Sequence, residues 1–495
     1  MSWLMVTDFG SDGFPATSEL QLPEKQKSYA QHYDWLCRSW AIAGVFHFLT
    51  FHDWRWQGLS GAILIGLALM VIRRPMPITF ALFLATDIYA VASRMGPVPN
   101  HILFSLVMNT VMLAVMIGAL IAEKRAPNVD ARGMWVTTVA PLIRMSVALL
   151  YFFTVFHKIN RAYFNPDVSC ASTMLHEIGG MYPIIPAGVF ADTLAIYGTL
   201  LIEGLIPILM FIPRTRLAGG VLALGFHAML SLHPHPGIYS FTATIVSLLS
   251  WFIPSRFFTT IQPAPKARKT LHILWIVICI MVTAALLVGV LPSLKSIVAR
   301  AGTIGFSIGY YGILVYSVAI GVAVLLHGWR NRADLAGPLA TTESSPQRLW
   351  LSCPLCALLV LIGMQPYLGL RTRMCFSMFS NLQTEGGVGN HLLIPDALQQ
   401  TRWQQELISV VKSDDPGLDT IANRHHRIPI LELSRRVRES KAGYSTMFLY
   451  RGKEYTCLSG DTESMNALPE ISPLGSRYLY FRSVGPDPAT VPCQW

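Results

Sequence analysis

Apolar residues along this chain come in long, nearly unbroken runs separated by short polar segments. A helix crossing a bilayer needs roughly 20 mostly apolar residues, about 17 at the short end. Eleven stretches meet or approach that length: 35–51, 57–72, 76–93, 101–122, 134–157, 187–212, 217–232, 240–254, 270–290, 305–328 and 349–366. Four of them (35–51, 57–72, 217–232 and 240–254) are short enough to be re-entrant or merged. The pattern therefore predicts a polytopic α-helical membrane protein with about 9–11 transmembrane helices. From about 367 onward the pattern changes. "TRWQQELISVVKSDD" and "IPILELSRRVRES" space their apolar residues as helices do. "STMFLYRGKEYTCL" reads as a hairpin turning at Arg451-Gly452, and "SRYLYFRSV" as a further strand. Three parts follow: an N-terminal segment 1–34, a multi-helix domain 35–366, and a small α+β domain 367–495.

Composition agrees with the membrane reading. Of 495 residues 52% are hydrophobic and 13% charged, against about 25% charged in soluble domains. The net charge of +10 comes from basic residues scattered singly and in pairs, with no basic tract, so no nucleic-acid partner is expected. Their placement reads instead as a topology signal. Loops 73–75, 123–133, 213–216, 255–269 and 329–348 hold 14 Lys plus Arg, while the alternate loops 52–56, 94–100, 158–186, 233–239 and 291–304 hold 6. That split predicts a cytoplasmic N-terminus and an extracytoplasmic C-terminal domain. The acid-bearing N-terminus without an early apolar run predicts no cleaved signal peptide. Of eight cysteines, Cys457 and Cys493 fall in the outer domain, where they could pair in an oxidising compartment or remain free thiols.

Ionisable residues inside membrane spans are costly and face a cavity or each other. Asp87 and Arg144 are expected to pair and lock helices. Glu203, in "LLIEGLIPILMFIPRTR", has no helical neighbour of opposite charge, so it needs a partner from another helix or a proton of its own. His227 stands on an apolar helix ahead of "SLHPHPGIYSF", and His233 and His235 lack a Cys or carboxylate at ligand spacing, so no metal is expected. Cys353-Pro354-Leu355-Cys356 has redox spacing without a thioredoxin-like setting.

Lys158 ends the run "YFFTVFHKIN". A lysine at a helix end ordinarily snorkels to the interface. Here it lies on the side where basic residues are scarce, abuts His157, and precedes a polar loop of nearly thirty residues. A lysine desolvated in such a place is a usable general base near neutral pH.

"YFFTVFHKINRAYF" resembles the segment of vitamin K-dependent gamma-glutamyl carboxylases that carries the catalytic-base lysine. "PVPNHILF" resembles that family's Asn-His step, and "FHAMLSLHPHPGIYSF" its His-bearing helix leading to a Gly-aromatic-Ser stretch. "IEGLIPILMFIPRTR" and "FSMFSNLQTEGGVGNHLLIP" are similar to the broader bacterial family with a horizontally transferred transmembrane (HTTM), carboxylase-like domain. The likeness runs from about 30 to about 450.

This resemblance implies an integral membrane enzyme of the carbon-carbon lyase (carboxylase) type coupled to quinol epoxidation. Lys158 would deprotonate a reduced quinone of the vitamin K type, with O2 and CO2 as co-substrates and no metal. His101 would assist oxygenation, held by Asn100. His157, Asn160, Glu203, His227, Tyr239 and Phe241 would line the pocket. The implied partners are the lipid bilayer, a membrane quinone, and a glutamate-containing secreted protein or peptide; the implied location is a bacterial inner membrane. Two departures stand out: Pro99-Asn100-His101 lacks one amide of the family's Asn-Asn-His step, and the outer domain is far shorter than that of the animal enzymes. A non-catalytic quinone- or lipid-binding protein and a transporter, with Glu203, Asp87 and Arg144 lining a path, are the competing classes.

Overall fold

A computed structural model describes residues 24–50, 54–93, 96, 98–126, 128–259, 311–322, 325–326, 328–335, 352–485, 491 and 493. The expected N-terminal segment up to residue 23, the span 270–290 and the loop 291–304 lie outside the described residues. The chain is mostly helical. In order it forms α1 (Glu24–Thr50), α2 (Trp54–Arg73), α3 (Pro77–Ala92), α4 (Asn100–Arg125), α5 (Ala131–Phe156), α6 (Cys170–Met181), α7 (Val189–Phe211), α8 (Arg216–Leu230) and α9 (Pro236–Leu249). The short α10 (Ser255–Thr259), α11 (Tyr311–Val322) and α12 (Ser352–Met364) follow. Among the described residues three helices are long and apolar enough to cross a membrane: α4, α5 and α7. Helix α3, with 16 residues, is about 24 Å long, and α8, α9 and α12 are shorter still.

Two compact units share the chain without following one another along it. The first comprises 1–94, 104–148 and 205–355, and the second 95–103, 149–204 and 356–495. In the first, α1 packs on α2 and α9. Its buried polar groups are tied in a chain: Trp40 Nε1 donates to Asn109 Oδ1 at 2.7 Å, and Asn109 Nδ2 donates to Asp87 Oδ2 at 2.6 Å. Arg144 Nε donates to the Trp251 carbonyl at 2.7 Å. The expected Asp87–Arg144 pair is therefore not the arrangement found. A neutral amide meets the carboxylate and a backbone carbonyl meets the guanidinium Nε.

The second unit carries a four-stranded antiparallel sheet of order β2-β1-β3-β4. Its strands are β1 (Leu407–Ser413), β2 (Arg427–Pro429), β3 (Ser445–Tyr450) and β4 (Lys453–Leu458), with α13 (Pro416–Asn423) and α14 (Ile430–Glu439) between them. The hairpin turns at Arg451-Gly452 as its sequence predicts. Both residues have positive φ, 50° and 76°, as a two-residue turn matching strand twist requires. α14 is likewise as expected. The stretch 401–415 is not a helix: the β-branched Ile408, Val410 and Val411 make β1 the strand between β2 and β3, where tertiary pairing outweighs helical spacing. "SRYLYFRSV" is not a strand of the sheet either. Ser476–Tyr478 end a short helix, and Val484 makes a single bridge to Arg427. The core holds Ile408, Leu418, Ile428, Leu433, Phe448 and Cys457.

Cys457 faces this core as a free thiol, which burial pushes up to about 11. Cys493 pairs instead with Cys170, the first residue of α6. Asn381 explains the match. Its Oδ1 accepts from Cys170 N at 2.7 Å, and its Nδ2 donates to the carbonyls of Val168 at 2.8 Å and Val491 at 2.9 Å. One side chain thus aligns both cysteine-bearing segments.

Candidate functional site: a buried lysine–glutamate pair

Helix α5 ends in a run of aromatic residues, and its last turn passes into the tight turn carrying His157 and Lys158. Glu203 comes from the middle of α7, a helix otherwise free of charge except Asp192 in its first turn. Lys158 Nζ donates to Glu203 Oε2 at 2.5 Å, and the two residues are 3% and 9% exposed. The partner that Glu203 lacks on its own helix is thus Lys158. Two buried phenols, Tyr151 and Tyr163, stand close enough to Glu203 to feel its charge. A pair so placed can pass a proton between amine and carboxylate without water.

The residues around Lys158 are held rigidly. One nitrogen of His157, Nε2, faces the Cys375 carbonyl at 3.1 Å, and Nδ1 faces the Tyr367 hydroxyl at 2.9 Å. A carbonyl only accepts, so Nε2 carries the hydrogen, and Nδ1 is left to accept from the phenol. His157 is also stacked on Phe153 and Tyr367. These contacts brace the end of α5. Asn160 does the same with its whole amide: Nδ2 donates to His157 O at 2.8 Å and Ser380 O at 2.6 Å, and Oδ1 accepts from Tyr163 N at 2.9 Å. Asn390 Nδ2 also reaches Asn160 Oδ1, at 3.3 Å.

Helix α5 meets α12 closely here, since a Cβ on Gly363 would stand 2.4 Å from the Phe153 ring. His391 adds a further tie. Its Nε2 donates to Phe156 O at 2.9 Å, and its Nδ1 accepts from Leu393 N and Ile394 N, each at 3.1 Å. Burial lowers the pKa of His391 below the ordinary histidine value, in keeping with a neutral ring.

His101 is buried, 5% exposed, in the first turn of α4. Asn100 beside it has a task that sequence does not show: its Oδ1 accepts from Phe376 N at 2.8 Å. That bond pins a loop in which Met374, Phe376, Phe379 and Asn381 all have positive φ, between 47° and 63°. Non-glycine residues adopt this region rarely, and clusters of them accompany functional sites.

Lys158, Glu203, His157, Asn160, Asn100 and His101 all belong to the second unit. His227, Tyr239 and Phe241 belong to the first. There His227 is buried edge-on against Phe226 and Phe241, and Tyr239 packs with Ala43, Ala243 and Ile313. The His-Pro-His-Pro stretch serves the start of α9: His235 Nδ1 accepts from Gly237 N at 3.2 Å, and His233 Nδ1 accepts from His235 N at 3.0 Å. Cys353 and Cys356 are not joined by a disulfide. A narrow cleft of about 40 Å³, lined by Trp35, Met210, Arg216, Leu224, Leu249 and Ile320 among others, lies in the first unit and contains neither Lys158 nor Glu203. The residues that sequence reading missed are Tyr367, Cys375 and His391. Only Asn160 and His157 hinted at them, as polar groups needing distant partners.

No family model, no curated protein and no solved structure matches the chain.

Proposed function

We propose that this chain is a polytopic, integral membrane enzyme of the vitamin K-dependent carboxylase-like type, in which Lys158 and Glu203 form a buried proton relay. The observation that carries the reading is the 2.5 Å contact between an amine and a carboxylate that are both withdrawn from water. A hydroquinone needs a base for its hydroxyl proton and an apolar setting. The amine, the carboxylate behind it and the buried rings of Tyr151 and Tyr163 suit such a molecule. When bound, the quinol would supply, with O2, the strong base that allows CO2 to add at a glutamate carbon.

Lys158 takes the hydroxyl proton at Nζ once its own excess proton has moved to Glu203. Glu203 stores that proton at Oε2, and the surrounding apolar helix keeps competing water away. His157 and Asn160 fix the turn on which Lys158 stands, so the amine keeps its position while protons move. Three long apolar helices support the membrane setting, and the disulfide Cys170–Cys493 is in keeping with an oxidising, extracytoplasmic side for the second unit.

Purified full-length protein supplied with reduced vitamin K, O2, radiolabelled CO2 and a glutamate peptide is expected to oxidise the quinol and fix label. Lys158→Ala should abolish both. Turnover unaffected by that substitution would overturn the role of Lys158. Turnover retained in the charge-free Lys158→Met/Glu203→Gln variant would reduce the pair to a helix lock.

A further inference from the structure

We infer that the buried turn Gln383–Glu385, together with Gln404, forms a binding site for a hard, oxygen-seeking cation of the calcium class. Four side-chain oxygens on these two segments have no hydrogen-bond partner: Gln383 Oε1, Thr384 Oγ1, Glu385 Oε1 and Gln404 Oε1. Their residues are 3%, 4%, 2% and 0% exposed. Buried polar atoms are almost always satisfied, so four orphans on two short segments call for a common cause.

The segments are tied to one another. Thr384 O accepts from Gln404 Nε2 at 3.0 Å and from Gln399 Nε2 at 2.8 Å, while Thr384 N donates to Glu385 Oε2 at 3.0 Å. Gly386 N donates back to Gln404 O at 2.8 Å. The orientation of the Gln404 amide is fixed, because Nε2 also donates to Pro366 O at 2.9 Å. Its oxygen is therefore the atom left over. Gly386 and Gly387, at φ 79° and 74°, turn the chain sharply just after Glu385, and a Cβ on Gly386 would stand 2.7 Å from Leu407 Cδ1.

The chemistry of the set selects the ligand. These four atoms are all oxygens, and one belongs to a carboxylate. Among the described residues no Lys, Arg or His pairs with Glu385. A buried carboxylate is costly unless a positive charge meets it. Carboxylate, amide and hydroxyl oxygens suit calcium, which accepts 6–8 of them in flexible geometry, whereas magnesium demands a near-ideal octahedron and keeps its waters. A single carboxylate puts the site in the weak class, with dissociation constants of about 10⁻⁴–10⁻³ M. This site is independent of the Lys158 reading.

The test uses the full-length protein in detergent, stripped with a chelator and then titrated with CaCl2, MgCl2 or NaCl. Calcium should raise the thermal unfolding midpoint by several degrees, and equilibrium dialysis with radiolabelled calcium should find about one ion per chain. Glu385→Gln should abolish both effects while leaving the midpoint in chelator unchanged or higher. Gln383→Glu, which adds a second carboxylate, should tighten binding about tenfold. Absence of any calcium-dependent shift or binding overturns the inference. So does a calcium response that Glu385→Gln leaves intact.

Discussion

Lys158→Met removes the only ammonium within ion-pairing distance of Glu203 among the described residues. The carboxylate left behind has a side chain 11% exposed, too little for water to replace the lost partner. Stranding one member of a buried pair costs about 3–5 kcal/mol, far above the roughly 0–1 kcal/mol of an exposed pair. Glu203→Gln should cost a similar amount, because it strands the Lys158 ammonium at 4% side-chain exposure. The double variant Lys158→Met/Glu203→Gln removes both charges and should recover most of the loss, costing about 2 kcal/mol or less, so the two single costs together should exceed it by at least about 4 kcal/mol. Denaturant titration of the detergent-solubilised protein, followed through its 12 tryptophans, measures all four corners of the cycle. Single variants costing under about 1 kcal/mol, or costs that simply add, would refute the claim that the pair is desolvated and coupled. A recovered fold with no quinol turnover in the double variant would separate chemistry from stability.

Cys493→Ser should lower stability by less than the chain-entropy ceiling of about 6 kcal/mol for cysteines 323 residues apart, and limited proteolysis should then cut the released C-terminal tail first. His391 gives a pH signature. Its pKa is depressed in the fold, so the unfolded chain binds the extra proton, and stability should fall as pH drops below about 6.5; His391→Gln should flatten that slope in pH-dependent unfolding. Gly363→Ala should cost about 1–3 kcal/mol by overpacking, because the Phe153 ring it would strike is itself stacked on His157; an unchanged thermal midpoint would mean that α5 and α12 can separate there.

Local features were the legible ones. The Arg451-Gly452 turn, α14 and the boundaries of α4, α5 and α7 follow from spacing and turn chemistry within a few residues of each position. What failed depended on distant partners. The stretch around Ile408 and Val410 has helical spacing, and only its neighbours in the sheet make it a strand. Glu203 announced that it needed a counter-charge and Lys158 that it was out of place, yet the link between them is tertiary, 45 residues apart. Asp87 and Arg144 show the reverse. Two opposite charges invited pairing, but an asparagine and a carbonyl reached them first. The Asn160 amide serves the His157 carbonyl and Tyr163 N close by, and its bond to the Ser380 carbonyl is tertiary in the same way.

The disulfide that Asn381 aligns carries a consequence for biosynthesis. Between the two cysteines a ribosome adds 323 residues, which at about 5–20 residues per second takes about 16 to 65 s. Throughout that interval Cys170 has no proper mate, while other cysteines of the same chain emerge ahead of Cys493. Burial of Cys375 and Cys457 in folded surroundings keeps them from competing, so correct oxidation depends on the second unit packing before its last tie is made.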